Sequence, residues 1–233
     1  MSRGLQTHLN VEGDDMKSLR ILVADDHDLV RRGIRGLLQS YPGWSICAEA
    51  KTGREAVAEA EELKPDIAIL DISMPNLNGL EATRKIRMVS PRTEVLILTM
   101  HCSDHLIREI VDTGARGYIL KSDSSRDLAI AIETLANHKP FFTPDATEAI
   151  LRGFNSDGSL AEIPDLIRDQ LTPREREIVQ LLAEGCTAKE VACALSISVK
   201  TAETHRTNLM RKLEIHNMSE LVRYAVRHQI IEA

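Results

Sequence analysis

The sequence lacks the features that define membrane, secreted and zinc-finger proteins. No apolar run approaches the roughly 20 residues that span a bilayer, and no apolar signal segment precedes the first predicted strand. The four cysteines form no C-x-x-C pair and no metal-finger spacing, so we interpret them as thiols of a reducing compartment. These absences predict a cytoplasmic protein without a membrane partner.

Positive charge is not in excess either, because the formal net charge is -6, and the chain as a whole does not indicate nucleic-acid binding. The charge is uneven, however. From Arg168 onward ten Lys/Arg stand against nine Asp/Glu, whereas the rest of the chain has 19 against 26. A length of 233 residues suits one or two domains. The asymmetry therefore favours two parts with different functions.

The segment Pro65–Gly79 organises the acidic part. Its short apolar run Ile67–Leu70 is typical of a buried strand, and Asp71 stands at the carboxyl end of that run. Pro75 and Gly79 then interrupt the chain before the next helical pattern. A lone Asp in this position is usually a helix N-cap or a turn residue. The interpretation of Asp71 therefore depends on the groups predicted to lie beside it.

Five apolar strands alternate with five helical patterns over this part, which predicts a parallel sheet covered on both faces. The predicted strands are Arg20–Ala24, Ser45–Ala50, Ile67–Leu70, Glu94–Thr99 and Gly117–Leu120. The predicted helices are Leu29–Leu38, Arg54–Leu63, Leu80–Met88, Asp104–Thr113 and Arg126–Asn137. The fold class is α/β and flavodoxin-like, with strand order 2-1-3-4-5.

This order brings polar groups from four strand ends to one edge of the sheet. The groups are Asp25, Asp26, Asp71, Thr99 and Lys121. Crowded carboxylates require a compensating cation, and oxygen ligands of this kind suit Mg²⁺. A phosphoryl group on Asp71 would find the cation, the Lys121 ammonium and the Thr99 hydroxyl around its oxygens. Such positioning and charge compensation is most of what phosphoryl transfer requires of a protein.

Together these residues resemble the receiver domain of a two-component response regulator, over about residues 18 to 138. The resemblance rests on the acidic pair, the Asp-Ile-Ser-Met-Pro-Asn-Leu-Asn-Gly loop, the Thr99 strand end and Gly-Tyr-Ile-Leu-Lys. It implies that a partner sensor histidine kinase phosphorylates Asp71. It also implies a protein that is not an enzyme, beyond catalysing its own phosphorylation and dephosphorylation.

The resemblance further implies the ligands and the switch of the site. Asp26, Asp71 and the Ser73 backbone carbonyl would bind Mg²⁺, and Asp25 would act through water. Thr99 and Tyr118 would form the switch pair that moves on phosphorylation, together with Lys121. Many receivers have a cis proline after the lysine, where this chain has Ser122. A cis bond there would cost about 2.5–4 kcal/mol, so the resemblance does not carry a cis bond over to this position.

The last part of the chain reads as four helices. Thr172-Pro173-Arg174-Glu175 and Thr187-Ala188-Lys189-Glu190 are capping boxes that begin the first two. The third helix is predicted over Val199–Leu213 and the fourth begins near Asn217. Two short helices joined by a tight turn match a helix-turn-helix, whose second helix reads the major groove.

The third helix carries the residues expected to contact DNA. Lys200, Glu203, Thr204 and Thr207 share one face and would read base edges. Four flanking side chains can reach phosphates: Arg206, Asn208, Arg211 and Lys212. The motifs Leu-Thr-Pro-Arg-Glu-Arg-Glu-Ile-Val, Ile-Ser-Val-Lys-Thr-Ala-Glu-Thr-His-Arg and Met-Arg-Lys-Leu resemble the LuxR-type DNA-binding domain. With the receiver they resemble a NarL/FixJ-class regulator, although Ala202 and Glu214 stand where that family more often has Val and Gly.

We therefore expect a transcription regulator with four segments: a disordered N-terminus 1–17, a receiver 18–138, a linker with a short helix 139–166, and a DNA-binding domain 167–233. Met16 is an alternative start. Phosphorylation is expected to produce a homodimer that binds double-stranded DNA at inverted half-sites, with RNA polymerase as a further candidate partner.

Two alternatives stay open at this point. A Mg²⁺-dependent phosphatase also forms an aspartyl phosphate, but such enzymes usually carry a second Asp two residues later, where this chain has Ser73. A DNA-binding protein whose receiver is never phosphorylated would use that domain only to dimerise.

Overall fold

The computed structural model describes residues 18–100, 103–152 and 171–231. The predicted disordered N-terminus, most of the linker after residue 152, and the first residues of the predicted DNA-binding domain lie outside these ranges. The five strands are β1 Leu19–Ala24, β2 Trp44–Ala50, β3 Ile67–Asp71, β4 Glu94–Thr99 and β5 Gly117–Leu120. The first five helices are α1 Asp28–Gln39, α2 Gly53–Leu63, α3 Gly79–Val89, α4 Asp104–Asp112 and α5 Ser125–Ala136. The remaining helices are α6 Pro144–Arg152, α7 Pro173–Ala183, α8 Ala188–Leu195, α9 Val199–Lys212 and α10 Met218–Arg227.

The strands form one sheet in the order β2-β1-β3-β4-β5, and each of its four neighbouring pairs is parallel. The predicted flavodoxin-like order is confirmed, and the predicted strands and helices of this part agree with the observed ones to within one or two residues. The sheet separates two apolar layers. One layer packs β-strand side chains against α2, α3 and α4, and the other packs them against α1 and α5.

Contacts with the sheet continue past residue 138. The Tyr118 amide donates to the Phe141 carbonyl, and the Phe141 amide donates to the Arg116 carbonyl, so Phe141 lies alongside β5. Ala146 of α6 is fully buried in the core layer that contains α4. The short helix predicted as part of the linker is therefore packed against the receiver.

The helices α7 to α10 form a second core, with buried residues contributed by all four of them. Both predicted capping boxes are present, at Thr172 with Glu175 and at Thr187 with Glu190. Ser196 occupies the left-handed region at the tight turn between α8 and α9, with φ 53°. Ser198 then caps α9 by accepting from the Thr201 amide.

The two departures from the LuxR pattern have different local consequences. Ala202 is buried at 2% exposure, so its small side chain fills less of the core than Val would. Glu214 has φ 54°, in the left-handed region that glycine occupies without strain. The turn after α9 therefore forms with Glu214 in place of the glycine. Among the described residues, no helix is long and apolar enough to cross a membrane.

Candidate functional sites

The strand register explains why the acidic residues meet. Ala24 pairs with Leu70, so Asp25 follows β1 at the level where Asp71 ends β3. Asp25, Asp26 and Asp71 each offer an oxygen, and these atoms lie within 4.8 Å of one another and of His27. Asp25 and Asp71 are buried, whereas Asp26 is exposed. The structure thus brings the three predicted carboxylates together at one open edge.

Lys121 completes this cluster from the next strand but one. Thr99 pairs with Leu120, so Lys121 follows directly beyond β5, and its amide donates to the Thr99 carbonyl at 2.8 Å. Its ammonium nitrogen lies 2.9 Å from Asp25 Oδ2 and 3.0 Å from Asp71 Oδ2. Burial alone would lower the pKa of Lys121, but the hydrogen bonds with Asp25 and Asp71 outweigh it and raise that pKa.

The carboxyl group of Asp71 is held in an unfavourable environment for its charge. Burial, followed by the charge of Asp25, raises the pKa of Asp71 from 3.8 to about 6. The Lys121 ammonium and the Ser73 amide, which donates to the carboxylate, oppose this increase. Asp71 is therefore mainly ionised near neutral pH, which a nucleophilic carboxylate requires, but its ionisation costs folding free energy.

A stability measurement can test this strain. Since the folded pKa of Asp71 is raised, the folded state binds the proton more tightly, and stability falls as pH rises from about 4 to above 6. We expect Asp71→Asn, which removes the charge, to increase the free energy of unfolding by roughly 1–3 kcal/mol at about pH 8 without divalent cations. The increase should shrink toward about pH 4, where both states are protonated. Urea titrations of both proteins along this pH range provide the check, and an equal effect at every pH would contradict it.

The predicted switch residues are both inside the molecule. Thr99 is 3% exposed at the end of β4, and Tyr118 is fully buried in β5. Asp71 pairs with Leu98, and Leu98 directly precedes Thr99 in β4. The structure therefore places Thr99 at the same edge of the sheet as Asp71. Their role as a switch pair stays a prediction. The described peptide bonds include no cis bond.

The donor atoms at this edge fit a hard divalent cation. Three carboxylates provide oxygen ligands within 4.8 Å, and the Ser73 carbonyl belongs to the residue two positions after Asp71. Because Mg²⁺ favours oxygen ligands and retains water, an open edge with one exposed and two buried carboxylates suits it. The acidic pocket is therefore a candidate metal site.

His27 is a neighbour of this pocket that the sequence did not mark as part of it. Its Nδ1 lies 2.7 Å from Asp26 Oδ1, and its backbone amide donates to Asp25 Oδ1 at 2.8 Å. Its adjacency to the acidic pair was the one available signal. The amide contact fixes one Asp25 oxygen, while the other faces Lys121.

The second predicted surface lies on α9, and the structure leaves all eight of its residues exposed: Lys200, Glu203, Thr204, Arg206, Thr207, Asn208, Arg211 and Lys212. The Thr204 and Thr207 hydroxyls donate to the carbonyls of Lys200 and Glu203, one turn earlier. Their methyl groups and remaining lone pairs stay available on the outer face. Hydrogen bonds and ion pairs between the two parts of the chain come instead from α7 and the residue that follows it.

Three of the flanking residues have partners within the helical unit. Arg211 donates to the Asn208 side chain at 3.3 Å, and the Lys212 ammonium lies 2.7 Å from the Glu175 carboxylate. Lys212 is therefore paired with the glutamate of the α7 capping box. Arg211 is the better candidate for a phosphate contact, because its partner carries no charge.

Comparisons with known families agree with both parts. The response regulator receiver domain matches residues 21–133. The luxR family of bacterial regulatory proteins matches residues 169–225. The response regulator protein VraR of Staphylococcus aureus is 35% identical over 215 residues, which cover 92% of this chain and 100% of VraR.

Solved structures show the same relationship. A LuxR-family two-component response regulator from Aurantimonas sp. SI85-9A1 is 36% identical, with a TM-score of 0.54 over 57% of this chain and 95% of that one. RcsB from Salmonella enterica serovar Typhimurium, bound to a promoter in the presence of the phosphomimetic BeF₃⁻, is 25% identical. Its TM-score is 0.57, over 89% of this chain and 98% of RcsB.

Proposed function

This chain belongs to the response regulators that join a receiver domain to a LuxR-type DNA-binding domain, and we propose that phosphorylation of Asp71 by a sensor histidine kinase switches its binding to DNA. One observation carries the proposal: at the edge of the sheet the Lys121 ammonium lies 2.9 Å from an Asp25 carboxylate oxygen and 3.0 Å from an Asp71 carboxylate oxygen. A buried carboxylate is otherwise a poor choice for this position, because its ionisation is disfavoured.

The residues of the pocket support a simple transfer. An Asp71 carboxylate oxygen attacks the phosphorus of the donor, the bond from phosphorus to the donor's leaving group breaks, and that group departs with the bonding electrons. Lys121, which contacts Asp71 Oδ2 at 3.0 Å, then compensates charge on the transferred group. The contact between Lys121 and Asp25 keeps the ammonium at this edge while the Asp71 carboxylate receives the phosphoryl group.

Asp25, Asp26, Asp71 and the Ser73 carbonyl would hold Mg²⁺. When bound, the cation would supply positive charge beside the phosphoryl oxygens. In this proposal the receiver catalyses its own phosphorylation and dephosphorylation, and acts on no external substrate. Thr99 would reposition its hydroxyl toward the new group, and Tyr118 would move with it.

The DNA-binding proposal rests on the exposed outer face of α9. Two phosphorylated protomers would place two α9 helices in successive major grooves of double-stranded DNA, on inverted half-sites about one helical turn apart. The promoter-bound RcsB structure is the likeness that supports this mode. Thr204 and Glu203 would then face base edges, and Arg211 a phosphate.

Selection of bound sequences from random DNA, with and without an acyl-phosphate donor, tests the proposal. We expect enrichment of an inverted repeat, and stronger enrichment when the donor is present. Equal enrichment under both conditions would instead support the receiver as a dimer scaffold that is never phosphorylated.

Variants of α9 should separate affinity from base readout. Arg211→Ala should weaken binding to specific and random DNA by similar factors, and reduce the salt dependence of binding by about one released ion. Thr204→Ala should change the preferred base at one position, at a cost of about 1–3 kcal/mol for the original site. Fluorescence anisotropy with matched and scrambled duplexes measures both. A base preference altered by Arg211→Ala, and not by Thr204→Ala, would contradict the assigned roles.

A further inference from the structure

Helix α7 of the DNA-binding domain makes contacts with the loop that follows Asp71. Gln180, which is 1% exposed, donates from Nε2 to the Met74 carbonyl at 2.9 Å. Its Oε1 accepts from the Asn78 amide at 2.8 Å. One side-chain amide thereby bridges both ends of the loop Met74–Asn78. The backbone of the receiver, and not only its surface side chains, is bound by the other domain.

Glu184 binds the middle of the same loop. Its two carboxylate oxygens each lie 3.2 Å from the Asn76 amide nitrogen. Gln180 Nε2 also donates to Glu184 Oε1 at 2.8 Å, so the two side chains orient each other. Asn76 has φ 65°, a left-handed conformation that the free loop would populate less. The contacts from α7 therefore fix a backbone shape that the loop does not strongly favour by itself.

Ion pairs hold α7 against the receiver around these contacts. Glu177 is buried, with Lys85 at 2.7 Å and Arg54 at 3.6 Å on the receiver side. Arg176 is buried as well, and pairs with Glu81 of α3 and Glu109 of α4. Because these charges are desolvated and paired, separation of the domains would leave several of them without partners. The hydrogen bonds from Gln180 and Glu184 to the loop are thus part of an extended interface.

The loop Met74–Asn78 begins directly after the proposed metal ligand Ser73. The Ser73 amide also donates to the Asp71 carboxylate, so the residue contributes to the site from both of its backbone groups. Its carbonyl carbon is bonded to the Met74 nitrogen, and Met74 is one of the two residues that Gln180 binds. A shift of the loop would rotate the Ser73 carbonyl with it.

We propose that Gln180, although it belongs to the DNA-binding domain, is a positioning residue for the metal and phosphoryl site of the receiver. It restricts the loop Met74–Asn78, and through it the Ser73 carbonyl, to the orientation that binds the cation. The inference rests on the proposed function of Asp71 and Ser73. By linkage, the cation must favour the docked position of α7 by the same factor by which docking favours the cation.

The test measures Mg²⁺ affinity of the full chain by isothermal titration calorimetry, with Mg²⁺ alone as the probe. Gln180→Met keeps the side-chain volume and removes both hydrogen bonds to the loop, together with the one to Glu184. We expect it to raise the Kd for Mg²⁺ about 3–10-fold, below the roughly 10–100-fold effect of groups that contact a metal ligand directly, because Gln180 acts through the loop. The matched control is Gln39→Met, at an exposed position at the end of α1, which should leave the Kd unchanged.

Two readouts separate positioning from a structural role. A structural role would lower the melting temperature without Mg²⁺ and leave the Kd of the folded protein unchanged, and that result overturns the proposal. Hydrogen exchange at the Asn76 and Asn78 amides should slow when Mg²⁺ is added to the wild-type chain and respond less in Gln180→Met. If the wild-type chain binds no Mg²⁺, the proposed metal site itself is wrong. If both proteins bind Mg²⁺ with equal affinity, only the positioning role of Gln180 is wrong.

Discussion

Asp71→Asn and Asp71→Ala should abolish labelling of the protein by a small acyl-phosphate donor. Within the described residues, Asp71 is the carboxylate that combines burial, a Lys121 contact at 3.0 Å and a pKa raised to about 6. An amide in its place has the same shape but cannot accept the phosphoryl group. Loss of a covalent nucleophile removes the acceptor outright, so we expect labelling to fall at least ~10³-fold, to background.

The control for this experiment is Asp112→Asn, the same chemical change at an exposed position that ends α4. It should be labelled like the wild type. Mass spectrometry of the intact protein, with acid and base lability of the label, measures the outcome. Because Asp71→Asn is expected to be more stable than the wild type near pH 8, a loss of labelling could not be attributed to unfolding. Labelling of Asp71→Asn at the wild-type rate would identify another acceptor.

The sheet and its polar edge were predictable from the sequence for physical reasons. Strands buried on both faces read as short apolar runs, and β1, β3, β4 and β5 coincide with such runs, whereas β2 at the edge of the sheet is partly exposed and mixed in sequence. Parallel strands end at one edge, so residues that follow Ala24, Leu70 and Leu120 must meet there. The positions of Asp25, Asp71 and Lys121 follow from topology, without any knowledge of side-chain packing.

The contacts between the two domains were not predictable in this way. Gln180 and Glu177 look like ordinary polar positions of an amphipathic helix, yet both are buried against the receiver. Periodicity shows which face of a helix is apolar, but it does not reveal a polar face that another domain covers. The pairing of Lys212 with Glu175 lies within the DNA-binding unit and was missed for a different reason, because 37 residues separate the two.

The packing of α6 shows a third limit. Its sequence begins with a helix-start pattern that fits a linker helix equally well. What places it in the receiver is the burial of Ala146 and the hydrogen bonds of Phe141 beside β5, and both depend on contacts remote in sequence. Periodicity alone therefore does not reveal that the segment after α5 packs against the sheet.

The second large effect is expected at Gly79, which begins α3 directly after the loop Met74–Asn78. A Cβ built on Gly79 would lie 2.1 Å from the Asp71 carbonyl oxygen and 2.8 Å from its carbon. These are backbone atoms at the end of a central strand, so neither partner can move without shifting the sheet or the helix. We expect Gly79→Ala to lower the free energy of unfolding by about 3 kcal/mol or more. The strained loop should also lower labelling of Asp71.

Gly36→Ala is the matched control for this prediction. Gly36 lies within α1, and an added Cβ there meets nothing within 4 Å. The same substitution should therefore stabilise the protein by about 0.5–1 kcal/mol, because alanine favours a helix interior over glycine. Chemical denaturation of the two variants should give changes of opposite sign. If Gly79→Ala is as stable as the wild type, the close contact between the start of α3 and the Asp71 backbone is not present in solution.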